Sequence, residues 1–340
     1  MNTTPRVTVL LPVYNGKPFL RESIESILGQ SFCDFELLVI DDGSTDGGFR
    51  EVGAFSDRRI RLVRQEQNRG LVAALNLGLG LARGEYLARM DADDISLPAR
   101  LARQVAFMDD HPAVGVCGSW LEAFSGAART VWVAPLRHEE IYAKLLFEST
   151  LYHPTVIIRK SLLDKHALRY AEDFPRAQDY ELWSRCVQYC QLANLGEVLL
   201  DYRLHANSVG SREADSQQKS ADAVRLRWLQ KIGLQPTGEE IALHRQLSLG
   251  QIPASEAFLE HAHDWLLKIG RANAVSRIFP EGELSQELTL RWFLSCSRAT
   301  SLGPAVIRKY LHSSLSRQYP GKKLDVVALA AKCVLRWSKG

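Results

Sequence analysis

Apolar residues fill positions 7–13 almost without a break, and the run stops at Tyr14 and Asn15. A run of this kind reads as a strand buried on both faces, as in parallel sheets. Residues 18–30 then change period, with Phe19, Leu20, Ile24, Ile27 and Leu28 recurring at helical spacing. The alternation continues. Residues 35–40 and 60–64 read as strands, 48–55 and 70–82 as helices, and 86–90 as a fourth strand. Strands alternating with helices predict a doubly wound α/β sheet. Ligands of such sheets sit beyond the carboxyl ends of the strands. Asn15, the pair Asp41 and Asp42, and the stretch from Asp91 to Asp94 all fall at those ends.

Further along, residues 98–111 read as a helix closed by Pro112, and 114–120 and 128–133 as strands. Residues 139–147 read as helix, 153–158 as strand, 178–191 as an amphipathic helix, and 198–203 as a strand leading to His205. From about residue 215 the period is helical throughout, over 216–231, 237–249, 254–269, 284–297, 304–313 and 324–339. Gly and Pro separate these stretches. The pattern predicts two domains: residues 1–214 as a ligand-binding α/β domain and 215–340 as a helical domain.

Charge sharpens that division. The net charge is +3 over 340 residues, but residues 215–340 carry 18 Lys and Arg against 11 Asp and Glu, while the rest is net negative. A basic helical region favours an anionic partner such as phospholipid head groups, or it merely solubilises its helices. Arg291, Arg298, Arg308, Lys309, Lys322, Lys323 and Arg336, with Trp292, Phe293 and Trp337, are the candidates for membrane docking. No apolar run reaches the ~18–20 residues of a membrane span. Residues 1–6 are short and polar, so no secretory signal is expected ahead of the first strand. The six cysteines are scattered and complete no zinc site. The expectation is a cytoplasmic protein, peripheral at most on the inner face of the plasma membrane, with no nucleic-acid partner.

Three carboxylates, Asp91, Asp93 and Asp94, fall within four positions where the fourth strand ends. Like charges this close repel, and some of their pKa values should rise unless a cation compensates. Hard oxygen ligands suit Mg²⁺ or Mn²⁺, which then holds a diphosphate. By itself the cluster equally reads as a solvated acidic turn opening the next helix. Asp41-Asp42-Gly43-Ser44 alone is likewise plain turn chemistry.

Six segments together decide more than any one. Leu11-Pro12-Val13-Tyr14-Asn15, Ile40-Asp41-Asp42-Gly43-Ser44-Thr45-Asp46, Asn68-Arg69-Gly70, Met90-Asp91-Ala92-Asp93-Asp94, Gln178-Asp179-Tyr180-Glu181-Leu182-Trp183 and Tyr202-Arg203-Leu204-His205 occur in this order. The set resembles family-2 glycosyltransferases of the GT-A fold. The resemblance implies a GT-A-type doubly wound mixed sheet followed by an α-helical C-terminal region. It implies inverting, metal-dependent transfer of a sugar from a nucleoside-diphosphate sugar to a hydroxyl of a glycan or lipid-linked acceptor, in surface polysaccharide or glycolipid assembly.

Carried onto this chain, the resemblance gives Pro12, Tyr14, Asn15, Asp41, Asp42, Arg69 and Asp91 to the donor nucleotide. Asp42 is favoured over Asp41 to accept from a pyrimidine N3–H, which a carboxylate does well, so a UDP- or dTDP-sugar fits best. Asp41 alternatively caps the local turn. Asp93, Asp91 and His205 are the implied ligands of Mn²⁺ or Mg²⁺, with Asp94 as the alternative carboxylate. Asp179 is the implied general base, at the start of a helix whose apolar face anchors it. Many relatives carry Glu-Asp where this chain has Gln178-Asp179, which leaves the second acid in place. His153 is a candidate contact to acceptor or diphosphate, or a satisfied buried histidine. Trp183 is a candidate acceptor wall, or core.

Competing classes fare worse. A sugar nucleotidyltransferase needs a Gly-rich basic loop after the first strand, and Tyr14-Asn15-Gly16-Lys17-Pro18 lacks the glycine cluster. A phosphatase nucleophile should follow the first strand, whereas Asp41-Asp42-Gly43 follows the second. A non-catalytic nucleotide-sugar-binding or scaffold protein should have lost a metal carboxylate or the base, and both are present.

Overall fold

The structure is a computed structural model and describes residues 4–205 and 214–337. The described chain forms two compact units, Met1–Ile141 with Ser149–Ala221, and Tyr142–Glu148 with Asp222–Gly340. The first contains the sheet. Its strands are β1 (Val7–Val13), β2 (Phe35–Asp41), β3 (Ile60–Arg64), β4 (Tyr86–Arg89), β5 (Ile95–Ser96), β6 (Val114–Ser125), β7 (Ala128–Trp132), β8 (Ile157–Arg159) and β9 (Gln191–Arg203). They lie in the order β3-β2-β1-β4-β8-β6-β9-β5, with β7 beside β6. The β1–β2, β1–β4, β2–β3 and β6–β9 pairs are parallel, and β8, β5 and β7 join antiparallel, so the sheet is mixed.

Helices α1 (Lys17–Leu28), α2 (Gly48–Gly53), α3 (Leu71–Leu81) and α4 (Arg100–Asp110) cover its two faces. Val7, Val9, Leu11 and Val13 form one core with Leu20, Ile24 and Ile27 of α1 and Leu101, Val105 and Met108 of α4. Leu10 points the other way, toward α3. There a Cβ on Gly78 would stand 2.2 Å from Leu10 Cδ1, so only glycine lets α3 approach β1 this closely. Pro12 is tolerated in a central strand for a definable reason. The β1–β4 pairing ends at Leu10, and residue 12 faces the β4 side, so the N–H that proline lacks has no ladder partner there.

After α5 (His138–Lys144) and α6 (Lys160–Lys165), α7 spans Gln178–Cys186. The sequence period predicts this last helix running to residue 191. It stops earlier because Gln191 already pairs with Val114, opening the long strand that runs alongside β6. Residues 153–155 form a 3₁₀ turn and only Ile157–Arg159 is strand, which shortens the expected 153–158 strand. The two-residue β5 and the first half of β9 carried no sequence signal.

The second unit is helical, over Gly238–Leu249, Glu256–Ser276, Glu281–Arg298, Pro304–His312 and Lys323–Trp337, with most of Ala214–Lys231. Lys339, in the expected last helix, lies outside the described residues. The candidate docking face needs correction. Arg291 is buried, bonded to Glu287 Oε1 at 2.6 Å, Glu148 Oε1 at 2.5 Å and the carbonyls of Leu247 and Ser248. A lone buried guanidinium would be costly, and these partners hold it in the interior. Trp292 is buried beside His263, Phe293 packs on Tyr310 and Tyr319, and Lys309 pairs with Glu260. Lys322 and Lys323 are exposed, while the side chains of Arg336 and Trp337 lie outside the described residues. No helix among the described residues is long and apolar enough to cross a membrane.

Candidate functional site

The carboxyl ends of β1, β2 and β4 carry the predicted residues, and the structure shows what each holds. Asn15 adopts φ 52°, a left-handed conformation that asparagine tolerates. Its Oδ1 accepts from Thr45 N–H at 2.9 Å and its own N–H donates to Ser44 Oγ at 3.0 Å, so it ties the first strand end to the second. Tyr14 beside it is exposed, and Pro12 is buried. Asp41 is buried; its Oδ1 accepts from Ser44 N–H at 3.0 Å, and its Oδ2 forms an ion pair with Arg64, 3.3 Å from Nε, without a hydrogen bond among the described residues.

Asp42 is bound up with the chain itself. Its Oδ1 accepts from Gln65 Nε2 at 2.7 Å and Arg69 N–H at 2.9 Å, and Oδ2 from Gly70 N–H at 2.8 Å. A carboxylate has about four acceptor positions, so one remains for a ligand. Gly43 permits this loop packing. It sits at φ +75°, and a Cβ there would lie 2.7 Å from the Gln67 carbonyl carbon. Arg69 has its backbone on Asp42 and its side chain in solvent.

The acidic loop after β4 is fastened to the end of β9, more than a hundred residues away. Arg203 N–H donates to Asp94 Oδ1 at 2.9 Å and Arg203 Nε to the Asp93 carbonyl at 2.8 Å, while Ile95 pairs with Asp201. The Arg203 guanidinium lies over the rings of Phe19 and Phe124. This places His205 next to the cluster, with Nε2 2.9 Å from Asp93 Oδ2 and its ring 5.0 Å from that of Phe19. Oxygens of Asp91, Asp93 and Asp94 all come within 4.8 Å of one another. Burial, reinforced by Asp91 and Asp93, pushes the Asp94 carboxyl well above the usual carboxylate range. Burial also raises Asp91, against the pull of Arg89.

Two buried cations stand behind this loop, and sequence reasoning missed both. Arg89 forms an ion pair with Asp91, and Arg100 donates to the Arg89 carbonyl at 2.6 Å. Burial, with Arg89 beside it, lowers Arg100 to about 9. A usable signal existed: Arg89 is the one charge inside the otherwise apolar strand 86–90, and a buried charge requires a partner. Asp94 Oδ2 is buried with no hydrogen-bond partner among the described residues. Three carboxylates, one with an orphaned buried oxygen, and an imidazole nitrogen beside them form a donor set that fits a hard divalent cation.

Asp179, at the start of α7, is half-buried and senses this cluster. Burial raises its carboxyl, the backbone N–H groups at the start of α7 and the Arg89 charge oppose the rise, and Asp91 adds to it. His153 donates to or accepts from Tyr170 Oη at 2.9 Å, and burial, aided by Arg89, holds it well below the usual histidine value. That is the satisfied buried histidine. Trp183 is fully buried and meets His153 edge-on, so it presents no face to a ligand and the acceptor-wall expectation is corrected. A concavity of about 910 Å³, lined by residues such as Pro5, Phe35, Arg59 and Arg83, lies at the opposite strand ends and contains none of these groups.

Comparison with known proteins points the same way. Residues 8–167 match the profile of Glycosyl transferase family 2. A Haemophilus influenzae protein described as an uncharacterized glycosyltransferase is 34% identical over 250 residues, spanning 69% of this chain and 77% of that one. The Escherichia coli WfgD protein, a UDP-Glc:alpha-D-GlcNAc-diphosphoundecaprenol beta-1,3-glucosyltransferase, is 29% identical over 220 residues, spanning 64% of this chain and 85% of its own. In fold the chain is similar to residues 1–349 of S. aureus TarS, solved with UDP-GlcNAc, at TM-score 0.60 and 18% identity, over 86% of this chain and 87% of that one.

Proposed function

Because the chain belongs to glycosyl transferase family 2, an enzyme family that transfers sugars from nucleotide sugars, we propose that it is an inverting, metal-dependent transferase acting on a glycan or lipid-linked hydroxyl. The observation that carries this reading is the meeting of Asp91, Asp93, Asp94 and His205 at one set of strand ends, within the electrostatic reach of Asp179.

The geometry supports the following roles. Tyr14 offers an exposed ring to the donor base. The remaining acceptor position of Asp42 suits the N3–H of uracil or thymine, which favours a UDP- or dTDP-sugar. Asp93, Asp91 and His205, with Asp94 alongside, would hold Mn²⁺ or Mg²⁺. When bound, that ion neutralises charge growing on the departing nucleoside diphosphate. Arg89 keeps the loop ordered by pairing with Asp91.

Asp179 takes the proton of the acceptor hydroxyl as its oxygen attacks the anomeric carbon from the face opposite the leaving group. The C1–O bond to the diphosphate breaks as the new glycosidic bond forms, with inversion. The upward direction of the Asp179 shift suits the task, since a more basic carboxylate accepts a proton more readily. The diphosphoundecaprenol-linked acceptor of WfgD supports a lipid-linked acceptor here, in polysaccharide assembly at the cell envelope. The helical unit covers that acceptor or docks on the membrane. Its exposed Lys322 and Lys323 are compatible with the latter, and flotation with anionic liposomes tests it.

The deciding experiment is donor hydrolysis over a panel of nucleotide sugars with and without Mn²⁺, in wild type, Asp93→Ala and Asp179→Asn. Metal-dependent turnover lost in the first variant supports the reading. Equal turnover in all three proteins defeats it.

A further inference from the structure

Strand β7 bonds to β6 alone among the described residues, which leaves it an edge. Edge strands are usually blunted with charge or proline. This one ends in Val131 and Trp132 and is followed by Val133, and these three are 46%, 36% and 61% exposed. Exposed large apolar groups gathered in one place mark a binding surface more often than chance.

The register shows what Trp132 faces. Trp132 pairs with Leu121 and Tyr202 with Ala123, and Leu121 and Ala123 are two apart on β6, so all four side chains share one face of the sheet. The Trp132 ring lies 5.6 Å from that of Tyr202 and 6.0 Å from that of Tyr152. Tyr152 Oη donates to the Val133 carbonyl at 3.0 Å, and Trp120 Nε1 to the Ala134 carbonyl at 2.9 Å, which pins the end of the hairpin. Tyr152 and Tyr202 are backed by the core. The three rings therefore form a fixed surface.

That surface is continuous with the site. Tyr202 immediately precedes the clamp residue Arg203, and its hydroxyl senses Asp91, Asp93 and Asp94. Tyr152 immediately precedes His153, which contacts Tyr170, and Tyr170 in turn senses Asp179.

We propose that Trp132, flanked by Tyr152 and Tyr202, is the platform on which a pyranose ring of the acceptor stacks. The proposal rests on the transferase reading above and names the acceptor subsite. A pyranose has an apolar C–H face and a hydroxyl rim. An aromatic face offers an apolar, mildly negative surface to the C–H groups, and phenolic hydroxyls serve the rim. A phosphate fits poorly, because Arg129, the guanidinium of this hairpin, is held by Glu122 and Asp201.

The test uses the full chain and saturation-transfer NMR with methyl glycosides of glucose, galactose, mannose and N-acetylglucosamine. Each is measured in the presence of diamagnetic Mg²⁺ and whichever of UDP, dTDP and GDP raises the melting temperature most. Wild type should give transfer to the C–H protons of at least one glycoside. Trp132→Phe should keep it within about threefold, and Trp132→Ala should weaken it about tenfold, both with the nucleotide-induced stabilisation unchanged. If the nucleotide stabilises the protein but no glycoside receives transfer, or Trp132→Ala equals wild type, the platform is overturned. If none of the three nucleotides stabilises the protein, the donor reading fails and the platform falls with it.

Discussion

Asp42 Oδ2 accepts a hydrogen bond from Gly70 N–H at 2.8 Å, so the carboxylate that closes the second strand also builds the loop opening α3. Its other oxygen holds Gln65 and Arg69. Donor recognition and loop geometry are thereby joined in one side chain. Asp42→Asn turns an acceptor into a donor facing N–H groups, and should cost about 1–3 kcal/mol of stability. Amide exchange at Arg69 and Gly70 should accelerate, and the donor KM should rise. Unchanged exchange at those two amides would contradict the clamp.

Asp93→Ala removes the carboxylate nearest His205 from the cluster. The stabilisation that Mn²⁺ confers in a thermal-shift assay should disappear, and donor turnover should fall by about a hundredfold or more. The fold should persist, because one of three mutually repelling charges has been removed.

Asp179→Asn should lower kcat by about 10²–10⁴ with little change in donor KM, since the base acts on the acceptor. The pH profile carries a second sign. The Asp179 carboxyl is raised and must be ionised to accept a proton, so kcat/KM should fall as pH drops through a value above the usual carboxylate range. The variant's residual activity should lose the Asp179 contribution to that acid limb, and the limb that remains belongs to Asp91 and Asp94.

Gly43→Ala forces a side chain into φ +75° with its Cβ 2.7 Å from the Gln67 backbone. A loss of about 1–3 kcal/mol in urea denaturation is expected, together with a weakened donor site.

In the helical unit, burial depresses His244 to about 3; one ring nitrogen lies 3.0 Å from the Leu146 carbonyl and the other accepts from Trp265 Nε1 at 3.2 Å. The unfolded chain binds a proton near pH 6.5 that the folded chain refuses. This group therefore removes stability as pH falls from about 6.5 toward 3, by up to about 1.4 kcal/mol per pH unit. His244→Gln should flatten that dependence in pH-resolved denaturation.

The sequence by itself determined the α/β order and the strand-end placement of Asn15, Asp42 and Asp93, because those depend on local period and on which residues end an apolar run. The motif order carried Asp179 and His205 as well. Only the tertiary structure decided the rest. Gln191 belongs to a strand and not to the preceding helix because β6 offers it a partner, a pairing between distant segments that no local period records. Arg291 is interior because of what packs around it, although it reads locally as a surface candidate, and packing likewise decides between the two local readings of Trp183, acceptor wall or core. Arg89 is a charge in an apolar strand until the fold brings Asp91, Arg100 and Asp179 around it. Burial and partner identity are properties of chain segments brought together, and a residue's meaning at the site is fixed only there.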